Sequence, residues 1–99
     1  IVGDHATYHL RYDAPLTSDI ESLARPMSAW VGRTTDVAEV ASDIGAATRA
    51  ATSTPGVATL IMPANIAWME ATASAPESSA PQPATFDPAA IERAAAALS

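Results

Sequence analysis

The sequence predicts an α/β fold with a parallel sheet, and three stretches carry that prediction. Residues 57–62, "VATLIM", form an unbroken apolar run between Gly56 and Pro63. Such a run is typical of a strand buried on both faces, as in a parallel sheet covered by helices. Before it, Val37, Val40, Ala41, Ile44, Ala47, Thr48 and Ala51 recur at three and four, the period of a helix with one apolar face. Further back, Met27, Ala29 and Val31 alternate with Ser28, Trp30 and Gly32, the period of a strand with one buried face. Strand, helix and strand in that order make a βαβ unit.

Each element has its own local signals. Ile1, Val2 and Gly3 read as the end of a strand. Residues 4–17 mix polar, aromatic and turn residues, and Pro15 blocks a continuous helix, so a loop with one helical turn is expected. Ser18 and Glu21 have the spacing of a capping box and predict a short helix through Ala24, ended by Pro26. Asp36 and Glu39 form a second start of this kind, opening the helix over 36–52 with Glu39, Asp43 and Arg49 on its solvent face. Gly45 weakens that helix or lets it pack closely. "TSTPG", 52–56, stops it. From Thr72 to Pro88 the chain is rich in Pro, Ser and Ala and lacks periodicity, which reads as a linker. Asp87 is placed to cap a last helix with Pro88 at its first position, and "AAIERAAAALS" propagates it.

Ninety-nine residues suit one small domain or part of a larger one. The chain starts without Met, and its last helix follows a linker with nothing behind it to pack on, so both ends are expected to be cuts in a longer polypeptide. The net charge is −6, and arginine is the only fixed cation, which leaves no basic patch for nucleic acid. The absence of cysteine excludes disulfides, zinc–thiolate sites and thiol catalysis within the chain, and fits a cytoplasmic setting. No apolar run is long enough to span a membrane.

The opening stretch "IVGDHATYHLRYDAP" sets His5 and His9 four apart beside Asp4 and Asp13. A helical pair with this spacing can bind zinc, given a third ligand and a nearby base. Here no glutamate follows His5, and Gly3 and Pro15 oppose a long helix, so loop histidines bonded to backbone are the expectation. No serine lies in a Gly-x-Ser-x-Gly elbow, and Ser74, Ser78 and Ser79 fall in the linker. Val2-Gly3-Asp4 follows a strand without the further glycines or the Gly-Lys-Ser/Thr of a phosphate loop. Trp30 and Trp68 read as pocket walls or, more commonly, as half-buried packing groups.

Taken together, "IVGDHA", "HLRYDAPLTSD", "IESLARPMSAWV" and "TPGVATLIMPANIAW" follow in an order and spacing that resembles the second half of the pyrimidine-binding domain of thiamine-diphosphate enzymes. That group includes acetolactate synthase large-subunit-like proteins, benzoylformate decarboxylase and pyruvate decarboxylase. Pro55-Gly56-Val57, Leu60 and Met62-Pro63-Ala64-Asn65 stand where the family closes this domain with Gly-Pro-Val and Ile-Pro, with Gly and Pro in swapped order. The resemblance divides the chain into a domain portion over 1–71, a linker over 72–87 and the truncated first helix of a central domain over 88–99.

It also implies a function. The intact protein would use thiamine diphosphate and Mg2+ to decarboxylate a 2-oxo acid and join the product to a second substrate, with the cofactor as electron sink. The family's cofactor-activating glutamate would precede residue 1, and its magnesium-binding Gly-Asp-Gly motif belongs to a third domain. This chain would therefore carry no complete cofactor site and would not be active alone. Whether flavin (FAD) is bound stays open. Expected partners are the remaining domains of the polypeptide, a second copy in a homodimer or homotetramer, and the small 2-oxo acid. In pyruvate decarboxylases a similar "DHA-x-x-H" stretch precedes two adjacent active-site histidines; Tyr12 and Asp13 stand at those positions here. The resemblance thus places Tyr12 and Asp13 nearest the substrate and gives His5 and His9 a loop-positioning role. A solvated loop, with Asp13 preparing a turn before Pro15, is the alternative for the same residues. A non-catalytic α/β interaction module is the alternative for the whole chain.

Overall fold

A computed structural model describes residues 1–53, 56–71, 74 and 85–98. Three strands form one parallel sheet: β1 (Val2–Asp4), β2 (Trp30–Arg33) and β3 (Ala58–Pro63), in the order β1-β3-β2. β3 takes up the apolar run from Ala58 onward and sits in the centre, while Val57, at the start of the run, is outside the strand and exposed. Leu60 and Ile61 are 2% and 0% exposed, and both neighbours run parallel to them. The α/β fold with a parallel sheet and flanking helices is thus the one observed.

Helix α1 (Ile20–Ala24) is capped one residue later than expected. Asp19, not Ser18, caps it: its carboxylate accepts the Ser22 amide at 3.1 Å and the Ser22 hydroxyl at 2.5 Å. A carboxylate meets both donors at once, which a serine hydroxyl at position 18 does not. Pro26 does not break the chain out of helical geometry; it lies inside a 3-10 turn over Arg25–Met27. A proline near the start of such a turn lacks only an amide that needs no partner there.

That turn displaces the second strand from its expected place. Met27 is 72% exposed, Ala29 is exposed, and Trp30 instead packs on the core. The alternation was real, but the opposite set faces inward. The Trp30 indole covers the backbone of Gly32, where a Cβ would come within 2.3 Å of the ring. Only glycine leaves room for that ring, and the large indole outweighs Met27 in deciding which face is buried.

A 3-10 turn over Val37–Glu39 leads into α2 (Val40–Ser53). Asp36 caps this start through the Ala38 amide at 2.8 Å, while Glu39 accepts the Thr35 hydroxyl at 2.7 Å. Val37, Val40 and Ala47 pack on Leu60, Met62 and Ile66, as their spacing predicts. The rest of the expected face is rotated. Gly45 is buried and Ala46 and Ala50 are half-buried, whereas Ile44 is 36% exposed and Thr48 and Ala51 face outward. Small residues let the helix lie close to the sheet, and the bulkier Ile44 is left at the margin. Asp43 consequently does not face solvent: it is half-buried, and its Oδ2 is enclosed without a partner among the described residues.

Two further helices complete the described chain. α3 (Ala64–Ala67), which nothing in the periodicity announced, turns off the end of β3 and buries Ile66. α4 (Pro88–Leu98) is capped by Asp87 through the Ala89 amide at 3.0 Å, and all its residues are exposed. Most of the stretch read as a linker, residues 72, 73 and 75–84, lies outside the described residues.

Candidate functional site

In open parallel sheets, ligands bind outside the carboxyl ends of the strands. There the chain has a cavity of about 520 Å3. Gly3 and Asp4 of β1 and Ala64, directly after β3, line its floor. His5, Ala6, Tyr8 and His9 line one side, and Leu16, Ser18 and Ile20 line another.

An ion pair fixes the floor. Asp4 and Arg33 end β1 and β2, which lie on either side of β3; Arg33 reaches across the central strand and its guanidinium binds the Asp4 carboxylate directly. The two side chains are 7% and 27% exposed. Arg33 also meets Glu21 of α1 at 3.5 Å, and Glu21 meets Arg25 at 3.3 Å. The other Asp4 oxygen accepts the His5 amide at 2.7 Å. Burial alone would push the Asp4 carboxyl up, but the Arg33 hydrogen bond, the His5 amide and the Arg33 charge outweigh it and hold it below its ordinary value. The Asp4 hydrogen bond in turn raises the Arg33 guanidinium further.

Beyond Asp4 the chain is held at separated points. Thr7 donates its amide to Asn65 Oδ1 at 2.8 Å, and Asn65 Nδ2 donates to the Thr7 hydroxyl at 3.1 Å. The His9 amide donates to the Ala6 carbonyl at 2.8 Å, and the His9 ring stands edge-on to Tyr8 with centroids 4.5 Å apart. A 3-10 turn over Leu10–Tyr12 follows, the single helical turn expected in this loop. The Ala14 carbonyl then accepts the Thr17 amide at 3.0 Å, closing a turn around Pro15 and Leu16.

His5 and His9 both line the cavity, and their backbone amides are engaged as loop anchors. No group of three metal-binding side chains comes together among the described residues. Tyr12 and Asp13 stand outside the cavity lining. Tyr12 is 64% exposed, and its hydroxyl accepts from Arg11 at 2.5 Å. Asp13 is exposed in left-handed geometry, φ 45°, where it ends the 3-10 turn. Trp68 is 89% exposed, and Trp30 is a half-buried packing group. Sequence reasoning missed Arg33, Thr7 and Asn65 as site residues. The available signal was a charged or amide side chain at the carboxyl end of each strand: Asp4, Arg33 and, just past β3, Asn65.

The cavity offers two imidazoles, a serine hydroxyl and a tyrosine among apolar walls. Among the described residues its one carboxylate is Asp4, which is paired with Arg33. Such a surface can hold a small ligand by hydrogen bonds and shape.

No helix among the described residues is long and apolar enough to cross a membrane. No family model matches the chain, and no solved structure matches it. It is 46% identical over 93 residues to a protein of Mycobacterium tuberculosis (strain ATCC 25618 / H37Rv) named "Putative acetolactate synthase large subunit IlvX". The match takes in 91% of this chain and 18% of the relative. The chain thus spans about a fifth of that relative's length and is similar to one stretch of an acetolactate synthase-like protein.

Proposed function

We propose that this chain is one portion of a thiamine-diphosphate-dependent 2-oxo-acid lyase or synthase of acetolactate synthase type. The observation that carries the reading is the 46% identity, over nearly the whole chain, to a protein bearing an acetolactate synthase name. The cavity at the carboxyl ends of a parallel sheet supports it. Its residues fit a wall beside such a cofactor better than the cofactor's anchorage, because a diphosphate and its Mg2+ need charged ligands and the one carboxylate among the described lining residues, Asp4, is already paired with Arg33. Those ligands belong to other domains of the polypeptide in this reading, and a second copy completes the site. When bound, thiamine diphosphate supplies the nucleophile and electron sink.

The chain's own part is to shape and orient. His5, His9 and Ser18 offer hydrogen bonds to a small 2-oxo acid, while Ala6 and Ile20 supply apolar wall. Tyr12 and Asp13, exposed in the same loop and outside the cavity lining, meet the substrate in this reading once the remaining domains close over the cavity. The intact polypeptide should bind thiamine diphosphate only with a divalent cation, should be at least dimeric, and should turn over 2-oxo acids. Asp13→Ala should reduce turnover more than cofactor affinity, the mark of a contact made mainly in the transition state. Calorimetry showing no thiamine diphosphate binding with Mg2+ present would sink the reading and leave the interaction module. Parental turnover in Asp13→Ala would remove only the role given to that residue.

A further inference from the structure

Residues 3–6, 8 and 9 all line the cavity; Thr7, in the middle of them, does not. Thr7 turns the other way and meets Asn65, 58 positions along the chain and adjacent to the cavity-lining Ala64. The pairing is complementary in both directions. The Thr7 amide donates to the Asn65 carbonyl oxygen at 2.8 Å, and the Asn65 amide donates to the Thr7 hydroxyl at 3.1 Å. On one side of this clasp stands His5, whose amide is tied to Asp4; on the other stands His9, whose amide is tied to Ala6. The segment between the two imidazoles has no strand or helix to hold it, and among the described residues the clasp is its one side-chain hydrogen-bonded tie to α3, directly after the central strand.

The geometry points to Asn65 as a positioning residue that, by gripping Thr7 from behind, sets the His5 and His9 imidazoles into the cavity. The inference rests on the cavity being the ligand-facing wall proposed above, and it adds the residue that fixes the orientation of that wall. A side-chain amide suits the task because it presents an acceptor and a donor side by side, matching the N–H and the hydroxyl of one threonine. Asn65 is not itself among the lining residues. Its effect on a ligand would pass through the loop.

The test reads the histidine rings of this chain directly, with no cofactor needed. Ring signals are recorded by NMR on histidine-labelled protein and assigned with His5→Gln and His9→Gln. In Asn65→Ala, both ring signals should move toward those of a free histidine, and exchange of the Thr7 amide should rise about tenfold or more, as in a locally opened segment. Amides of Leu60 and Ile61 in the central strand should keep their protection. Thr7→Ser retains both hydrogen bonds and should keep the parental ring signals; Thr7→Val loses the hydroxyl and should shift them part of the way. Unmoved rings in Asn65→Ala would overturn the inference. So would an equal loss of protection at Leu60 and Ile61, because Asn65 would then act on the fold at large. Because the readout is independent of thiamine diphosphate, a protein that passes it yet binds no cofactor fails only the cofactor reading.

Discussion

In the β2–α2–β3 unit and the adjoining α3, Leu60, Met62 and Ile66 meet Trp30, Val37, Val40 and Ala47, and no single contact decides the arrangement. In the segment between β1 and α1, single polar contacts decide almost everything: Asp4 to His5 and Arg33, Thr7 to Asn65, Asp19 to Ser22. The first region spreads its energy over apolar area, which tolerates small displacements. The second depends on individual hydrogen bonds and one ion pair, each lost outright when a partner goes. The difference separates a scaffold from the wall it carries, and the cavity is built where the two meet.

The scaffold should break first under loss of volume. Ile61 is 0% exposed in the middle of the central strand. Ile61→Ala should cost about 3 kcal/mol, the transfer loss plus the cavity left behind. Urea denaturation of the chain would measure it, and a cost under about 1 kcal/mol would mean that the site collapses freely and the core is not close-packed.

The wall should break next, at the ion pair beneath it. Arg33→Ala leaves the nearly enclosed Asp4 carboxylate without its cation, at a cost of about 2 kcal/mol. The effect should depend on pH, because the folded-state pKa of Asp4 is depressed. Its stabilisation is fully present above the ordinary carboxylate pKa of about 4 and is lost as pH falls toward the lower folded value. The gap between parent and Arg33→Ala should therefore be widest near neutrality and close in acid. A gap that stays constant down to the acid limit would assign the loss to Arg33 packing instead of the pair.

The same contrast governs what was legible in the sequence. An apolar run such as 57–62, or the three-and-four recurrence of Val37, Val40 and Ala47, repeats its signal along the chain, and β3 and α2 follow it. The choice of face was less legible. It was decided by sizes meeting in space: the Trp30 ring over Gly32, and Gly45 and its neighbouring alanines against the sheet. Asp19 displaced Ser18 as the cap because a carboxylate satisfied two Ser22 donors, a competition that motif spacing does not rank. The candidate site was legible only in part. His5 and His9 stood out by composition, but Arg33, which pairs with Asp4, and Asn65, which clasps Thr7, lie 29 and 58 positions from their partners. Contacts over such separations become visible only once the strand order is known.

A smaller effect tests the face assignment within the scaffold. Gly32→Ala would place a Cβ 2.3 Å from the Trp30 ring. The half-buried indole has to move off its place beside the core, and the cost should be about 1–2 kcal/mol. Trp30→Ala should be damaging by itself, and adding Gly32→Ala to it should cost clearly less than in the parent, since the clash is gone. Fully additive effects in thermal melts would show that the strain at Gly32 comes from its backbone and not from the ring.

The smallest effect lies in the wall, and its sign is opposite. Leu16 has φ 71° at the third position of the turn from Ala14 to Thr17, with Pro15 before it. That is the position of a type II turn where glycine or asparagine is preferred. A leucine there carries about 1–2 kcal/mol of backbone strain. At 94% exposed it gains almost no burial in return. Leu16→Gly releases the strain but loosens the unfolded chain by about 0.5–1 kcal/mol, so a net gain of about 0.5 kcal/mol is expected. Leu16→Asn tolerates the same geometry without that entropic cost and should gain slightly more, whereas Leu16→Ala keeps the strain and should gain nothing. Denaturation midpoints ranked Asn, Gly, Ala would confirm that the turn dictates the backbone and that Leu16 is retained against local preference. Leu16 lines the cavity, where its side chain is placed to cover a ligand at the cost of this strain. Equal or falling stability in Leu16→Gly and Leu16→Asn would show instead that the side chain supports the wall, which would make this point contact part of the apolar packing.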